Sequence, residues 1–149
     1  MAKSGGVTKL ASGKAIYDWL FERDKMSVEA LFASDALRVE RAGKKTCQPV
    51  FRYECDRIFI RYRSDETTTF SQNHAVQKAI VEVKKFLEDE ANCMSFVLKK
   101  RQVLITDNMS VLHGRTAFPR DEPRKMHRLF FRGDSSSITK LIFGFSASA

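Results

Sequence analysis

The sequence predicts an α+β domain, mainly β, and three observations carry that reading. Short segments with period-two alternation recur along the chain, two helical patterns stand near its start, and one longer amphipathic helix is inserted midway. Many short strands with a few helices packed outside them fit a jelly roll or a barrel. A length of 149 residues suits one domain, 1–149, with a real core.

The first helix is predicted from about Lys14 to Arg23, because Ile16, Trp19 and Leu20 fall on one face and Ser12 can cap it. A second, short helix follows from Ser27 to Ala33. Strands come next: "LRVER" from Leu37, "VFRYEC" from Val50 and "RIFIRYR" from Arg57, each alternating apolar and polar. The longer helix spans about Asn73 to Ala91, with Val76, Ile80, Val83 and Leu87 as its apolar stripe. Five short β-like segments close the chain: Phe96 to Lys99, Val103 to Thr106, Val111 to His113, Met126 to Arg132, and Ile138 to Phe145. The basic cluster "KKRQ" at Lys99 to Gln102 reads as a turn between two of them. There is no internal repeat or low-complexity linker, and residues 146–149 read as a frayed tail.

Composition excludes several classes. Apolar residues make up 43% and aromatics 11%, twelve of them phenylalanines, too many for a disordered chain. No apolar run has the length of a membrane helix, and "MAKSGGVTKL" lacks the apolar core of a signal peptide. Cys47, Cys55 and Cys93 share no metal-ligand spacing, and their odd number argues against a disulfide framework. Both points fit a reducing, cytoplasmic setting. The net charge of +8 admits an anionic partner, but the basic residues are spread along the chain rather than gathered in a nucleic-acid stripe.

Chemistry concentrates between Ile105 and Gly133, in "ITDNMSVLHGRTAFPRDEPRKMHRLFFRG". On a strand, Arg124, Met126, Arg128 and Phe130 would share one face, and Lys125, His127, Leu129 and Phe131 the other. The two same-face arginines would sit roughly 13 Å apart at their backbones, so they would grip different groups or opposite ends of one cavity. Guanidinium groups suit bidentate binding of carboxylate or sulfonate. By residue type alone, paired arginines on a strand are more often a solvated face, and a lone strand histidine is usually a satisfied core or edge residue, although the interleaved Met126 and Phe130 suggest that the arginine face is partly covered.

The motif "DNMSVLHGRTAF" resembles the distal-histidine motif of the taurine dioxygenase-like, clavaminate synthase-like Fe(II)- and 2-oxoglutarate-dependent oxygenases. "GGVTKLASG" resembles the "GG-x-T" turn of the same family, and the order of elements between the two motifs is similar. The resemblance spans Gly5 to about Gly133. It implies a double-stranded β-helix (jelly roll) with flanking helices, and oxidation of a small, anionic substrate with formation of succinate and CO2. It implies four roles: His113 as the second histidine of the iron-binding facial triad, Thr8 and Arg124 at the distal carboxylate of 2-oxoglutarate, and Arg128 at an anionic group of the substrate. Arg115 belongs to the motif and receives no contact.

The sequence departs from this family in one respect. The triad also needs a His-x-Asp or His-x-Glu pair, yet the histidines read "HAV" at His74, "HGR" at His113 and "HRL" at His127. In relatives the missing pair precedes the "GG-x-T" turn, which here falls before Met1. The chain thus resembles the C-terminal portion of such an enzyme, lacking N-terminal strands and two of three iron ligands, and one histidine does not hold Fe(II). His74 is expected to be a surface or capping residue at the start of the long helix. Three readings follow: a piece of an oxygenase completed elsewhere, a degenerate non-catalytic relative, or a basic binding module. Missing strands would leave sheet edges and apolar faces uncovered, so the expected state is a homo-oligomer or a complex with a partner chain that supplies them.

Overall fold

The computed structural model describes residues 6–117, 126–131 and 142–147. The chain is mixed: among the described residues, three helices and a 3-10 turn pack with eight strands arranged in three small antiparallel sheets.

The first strand, β1 (Thr8–Ser12), runs directly into α1 (Gly13–Arg23). Ser12 caps α1 as predicted, its side chain accepting a hydrogen bond from the Ala15 amide at 3.2 Å. Gly13 allows the tight entry: a Cβ there would lie 2.6 Å from Ile60 Cγ2 and 2.7 Å from the Ser110 carbonyl oxygen. Ile16 and Leu20 are buried, while Trp19 packs edge-on against Phe86 with the Arg23 guanidinium 3.2 Å above its ring. The second helix, α2 (Lys25–Ala30), starts two residues earlier than the sequence suggests because Asp24 caps it.

Four strands follow: β2 (Leu37–Arg41), β3 (Lys44–Gln48), β4 (Phe51–Glu54) and β5 (Arg57–Ile60); β6 (Thr68–Phe70) comes next. β2 is flanked by β3 and β6, and β4 pairs with β5 alone. The long helix α3 (His74–Glu88) is capped by Asn73 and buries Val76, Ala79, Ile80, Val83 and Phe86. Leu87 of the expected stripe is only partly buried, and Phe86 takes its place in the core. The core lies where α1, α2 and α3 meet, with Phe51, Leu31, Leu37, Val50 and Ile60 fully enclosed.

The last sheet is β7 (Cys93–Phe96), β1 and β8 (Val111–Arg115), with β1 in the centre. The expected strand Phe96 to Lys99 lies earlier in the chain, as β7, with only Phe96 in common, and three further expectations fail here. Val103 to Thr106 is not a strand: the turn at Lys99–Gln102 forms, with the Gln102 amide donating to the Lys99 carbonyl at 3.1 Å, but its two arms do not pair. Met126 to Phe131 also lacks strand pairing, and Arg132 lies outside the described residues. Of Ile138 to Phe145, only Phe145 pairs, through a bridge to Ile58; residues 138–141 lie outside the description. The physical reason is common to the two described segments: β-propensity becomes structure only when another strand is present to complete the ladder. Two facing jelly-roll sheets are not formed by the described strands alone.

Candidate functional site

β1 organises the candidate site because both of its neighbours are distant in sequence. Its register sets Thr8 opposite Phe96 and Arg115, and Leu10 opposite Met94 and His113. Residues directly opposite in an antiparallel pair project to the same side, as do residues two apart along one strand. Thr8, Leu10, Met94, Phe96, His113 and Arg115 therefore share one face. Ala11, Cys93 and Leu112 occupy the other and pack against the helical core. The sheet thus turns one side to the core and offers the second to a ligand or a covering layer.

On the second side, Thr8 is buried and His113 is exposed. Partial desolvation, followed by the positive charge of Arg128, holds the His113 imidazole below the usual histidine pKa. The neutral ring keeps a nitrogen lone pair, the form that can ligate a metal. The Arg128 charge acts on His113 although residues 126–131 form no strand. The contact between the two segments lies alongside, where Arg115 Nη1 approaches Met126 Sδ at 3.8 Å. The expected parity of Arg124 and Arg128 on a strand does not carry over, because residues 126–131 form no ladder and Arg124 lies outside the described residues.

The other histidines stand as their positions suggest. His74 is the exposed first residue of α3, next to the Asn73 cap, and His127 is exposed. Among the described residues no group of three or more His, Cys, Asp or Glu side chains could hold a metal ion. The described residues therefore do not fit a complete iron triad.

Asp107 is a residue that sequence reading passed over. Its carboxylate accepts the amides of Met109 and Gly144, each at 2.8 Å, and the Ser110 hydroxyl. Its carbonyl accepts the amides of Ser110 and Val111 at 3.1 and 3.0 Å. The same turn reaches outward, since Gly13 donates to the Ser110 carbonyl at 2.7 Å and Ile60 to the Met109 carbonyl at 2.8 Å. Asp107 thus fixes the point from which β8, and with it His113, departs. The signal available in sequence was the Asp-x-x-Ser spacing of "DNMS", an Asx-type turn.

A small cleft of about 70 Å³ lies beside β4 and β5, lined by Gln48, Val50, Arg52, Phe59, Arg61 and Met109 among others. It contains none of the predicted site residues and is far smaller than the cavities that enclose organic ligands.

The strand histidine His113, the buried Thr8 and Arg115 thus share one side of this sheet. The family model described as taurine catabolism dioxygenase TauD, TfdA family, matches residues 1–130, and the chain belongs to that family. The family is one of Fe(II)/2-oxoglutarate-dependent dioxygenases, in agreement with the resemblance read from "HGR" and "GGVT". No curated protein matches the sequence. Among the described residues no helix is long and apolar enough to cross a membrane.

Proposed function

We propose that this chain provides the distal-histidine part of a 2-oxoglutarate oxygenase that oxidises a small anionic substrate. His113 would be one iron ligand, Thr8 and Arg124 would hold the distal carboxylate of 2-oxoglutarate, and Arg128 would bind the substrate's anionic group. The observation that carries the reading is the β1–β8 register, which puts Thr8 and His113 on one face, together with the charge of Arg128 at His113. With all ligands in place, Fe(II) and 2-oxoglutarate supply oxidative decarboxylation to succinate and CO2. This chain's own share is to orient anions with fixed guanidiniums and to keep His113 neutral for ligation. The remaining two ligands, and the strands that close a jelly roll, would come from further sequence of the same protein, a partner chain or a second copy in the reducing cytoplasm, where Cys47, Cys55 and Cys93 stay as the free thiols they are here.

Ligand-observed NMR with 2-oxoglutarate tests the anion site without iron. The full chain should bind it at millimolar concentration, with roughly tenfold weaker binding in Arg124→Ala and Thr8→Ala. Equal binding by all three proteins would remove the basis of the assignment. The same chain supplied with Fe(II) and 2-oxoglutarate should form little or no succinate, and robust turnover by the purified monomer would overturn the incomplete-triad reading.

One observation favours a second reading, that of a non-catalytic relative retaining an anion pocket. None of the three histidines is followed two residues later by a carboxylate. This reading predicts 2-oxoglutarate or substrate-anion binding with no succinate formed in any assembly.

A further inference from the structure

Val103 to Ile105 is an apolar segment exposed to solvent among the described residues: Val103 is 82% and Ile105 88% accessible, and Leu104 39%. Together with Thr106 it is rich in β-branched side chains and contains no charge, the composition of a strand. Yet it joins no ladder, and the backbone groups of Val103–Thr106 make no hydrogen bond among the described residues. Unpaired amides and carbonyls beside exposed valine and isoleucine form a template for an added strand.

The flanking charges decide what kind of strand fits. Lys99, Lys100 and Arg101 stand just before the segment, all exposed, whereas Asp107 just after it is occupied by Met109, Ser110 and Gly144. A second copy paired antiparallel would offer Lys99–Arg101 only an Asp107 whose carboxylate is already engaged, and each copy carries a net charge of +8, so pairing of like with like is opposed. An antiparallel strand with acidic residues at its C-terminal end would set them beside Lys99–Arg101 while its apolar part pairs with Val103–Thr106.

We propose that Val103–Thr106 is a strand-addition site for an extended segment of a different polypeptide, apolar in its pairing part and acidic at its C-terminal end. This stands on the exposed segment and its charges alone, independently of any iron chemistry at His113.

The test uses the full chain and synthetic peptides of alternating valine and threonine, ending in three glutamates or, as a control, three lysines. Isothermal titration at low salt should show the glutamate peptide binding at least about tenfold more tightly than the lysine peptide, with the difference shrinking as salt is added. Ile105→Pro should abolish binding; it removes no hydrogen bond among the described residues, because the Ile105 amide makes none there. The triple variant Lys99→Glu, Lys100→Glu, Arg101→Glu should reverse the preference toward the lysine peptide. Equal affinity for both peptides, or binding by neither, would refute the proposal. So would a dimer seen by light scattering in the wild-type chain and lost in Ile105→Pro, which would assign the segment to a second copy.

Discussion

His113 stands directly opposite Leu10 across the β1–β8 pair, with Thr8 two residues along β1 on the same face. The register is determined from both ends of β8: the Asp107 turn anchors its start, and the Val7–Thr116 contacts, 2.9 and 3.0 Å, continue its pairing beyond Arg115. A slip of one residue would carry His113 to the core side and Leu112 away from it. The candidate site therefore depends on residues that touch no ligand.

Replacing Asp107 by Ala should lower stability by about 2–3 kcal/mol, because the amides of Met109 and Gly144 and the Ser110 hydroxyl lose a charged acceptor. Urea denaturation measures the loss. Hydrogen exchange should show the first effect at Gly144 and Val111, ahead of α3.

Gly13→Ala should cost about 1–3 kcal/mol, since the added methyl meets Ile60 Cγ2 and the Ser110 carbonyl oxygen at distances no Cβ tolerates. Thermal unfolding followed by circular dichroism would register it. An unchanged midpoint would mean that α1 does not enter the core as closely as described.

Asp24 caps α2 through the Met26 amide and the Ser27 hydroxyl, and it meets Lys78 Nζ of α3 at 2.7 Å. Lys78 first, and Ser27 next, lower its pKa from 3.8 to about 2. The folded-state pKa lies below the unfolded one, so this contribution is present above about pH 4 and fades as the pH falls toward 2. Asp24→Asn should flatten the acid limb of a plot of Tm against pH over that window, and an unaltered limb would contradict it. Lys78, raised by the same contact, behaves oppositely: its contribution is present below its ordinary pKa and is lost as the pH rises through the raised value.

His113 titrates below the ordinary histidine value, with burial as the larger cause and Arg128 as the second. Arg128→Ala should raise the His113 pKa toward that value, because a neighbouring cation no longer opposes protonation. In the wild-type chain the unfolded state takes up this proton first, so stability on account of His113 rises with pH through the histidine range. NMR titration of the ring protons reads the shift directly. A pKa unmoved in Arg128→Ala would mean that the Arg128 charge does not act on His113 in solution.

Local pattern was enough for the helices and for the strands whose alternation is strong. Ile16 and Leu20, and Val76, Ile80 and Val83, repeat at helical spacing, and Ser12 and Asn73 offer caps. β1 was read as a turn because its burial does not alternate: Thr8 and Ala11 are both buried, three residues apart, and its partners arrive only at Cys93 and Val111. β3 escaped for a different reason, being almost wholly exposed and hence without an apolar signal.

By itself the sequence determined the helices, the α+β class, and the family through "HGR" and "GGVT", since residue identity and short-range spacing suffice for each. Tertiary structure alone decided that Thr8 faces the same way as His113, that the Arg128 charge acts on that histidine from outside any strand, and that Val103 to Thr106 joins no ladder among the described residues. Each of these depends on which distant segment is present to complete a ladder, and strand pairing is a property of two segments rather than one.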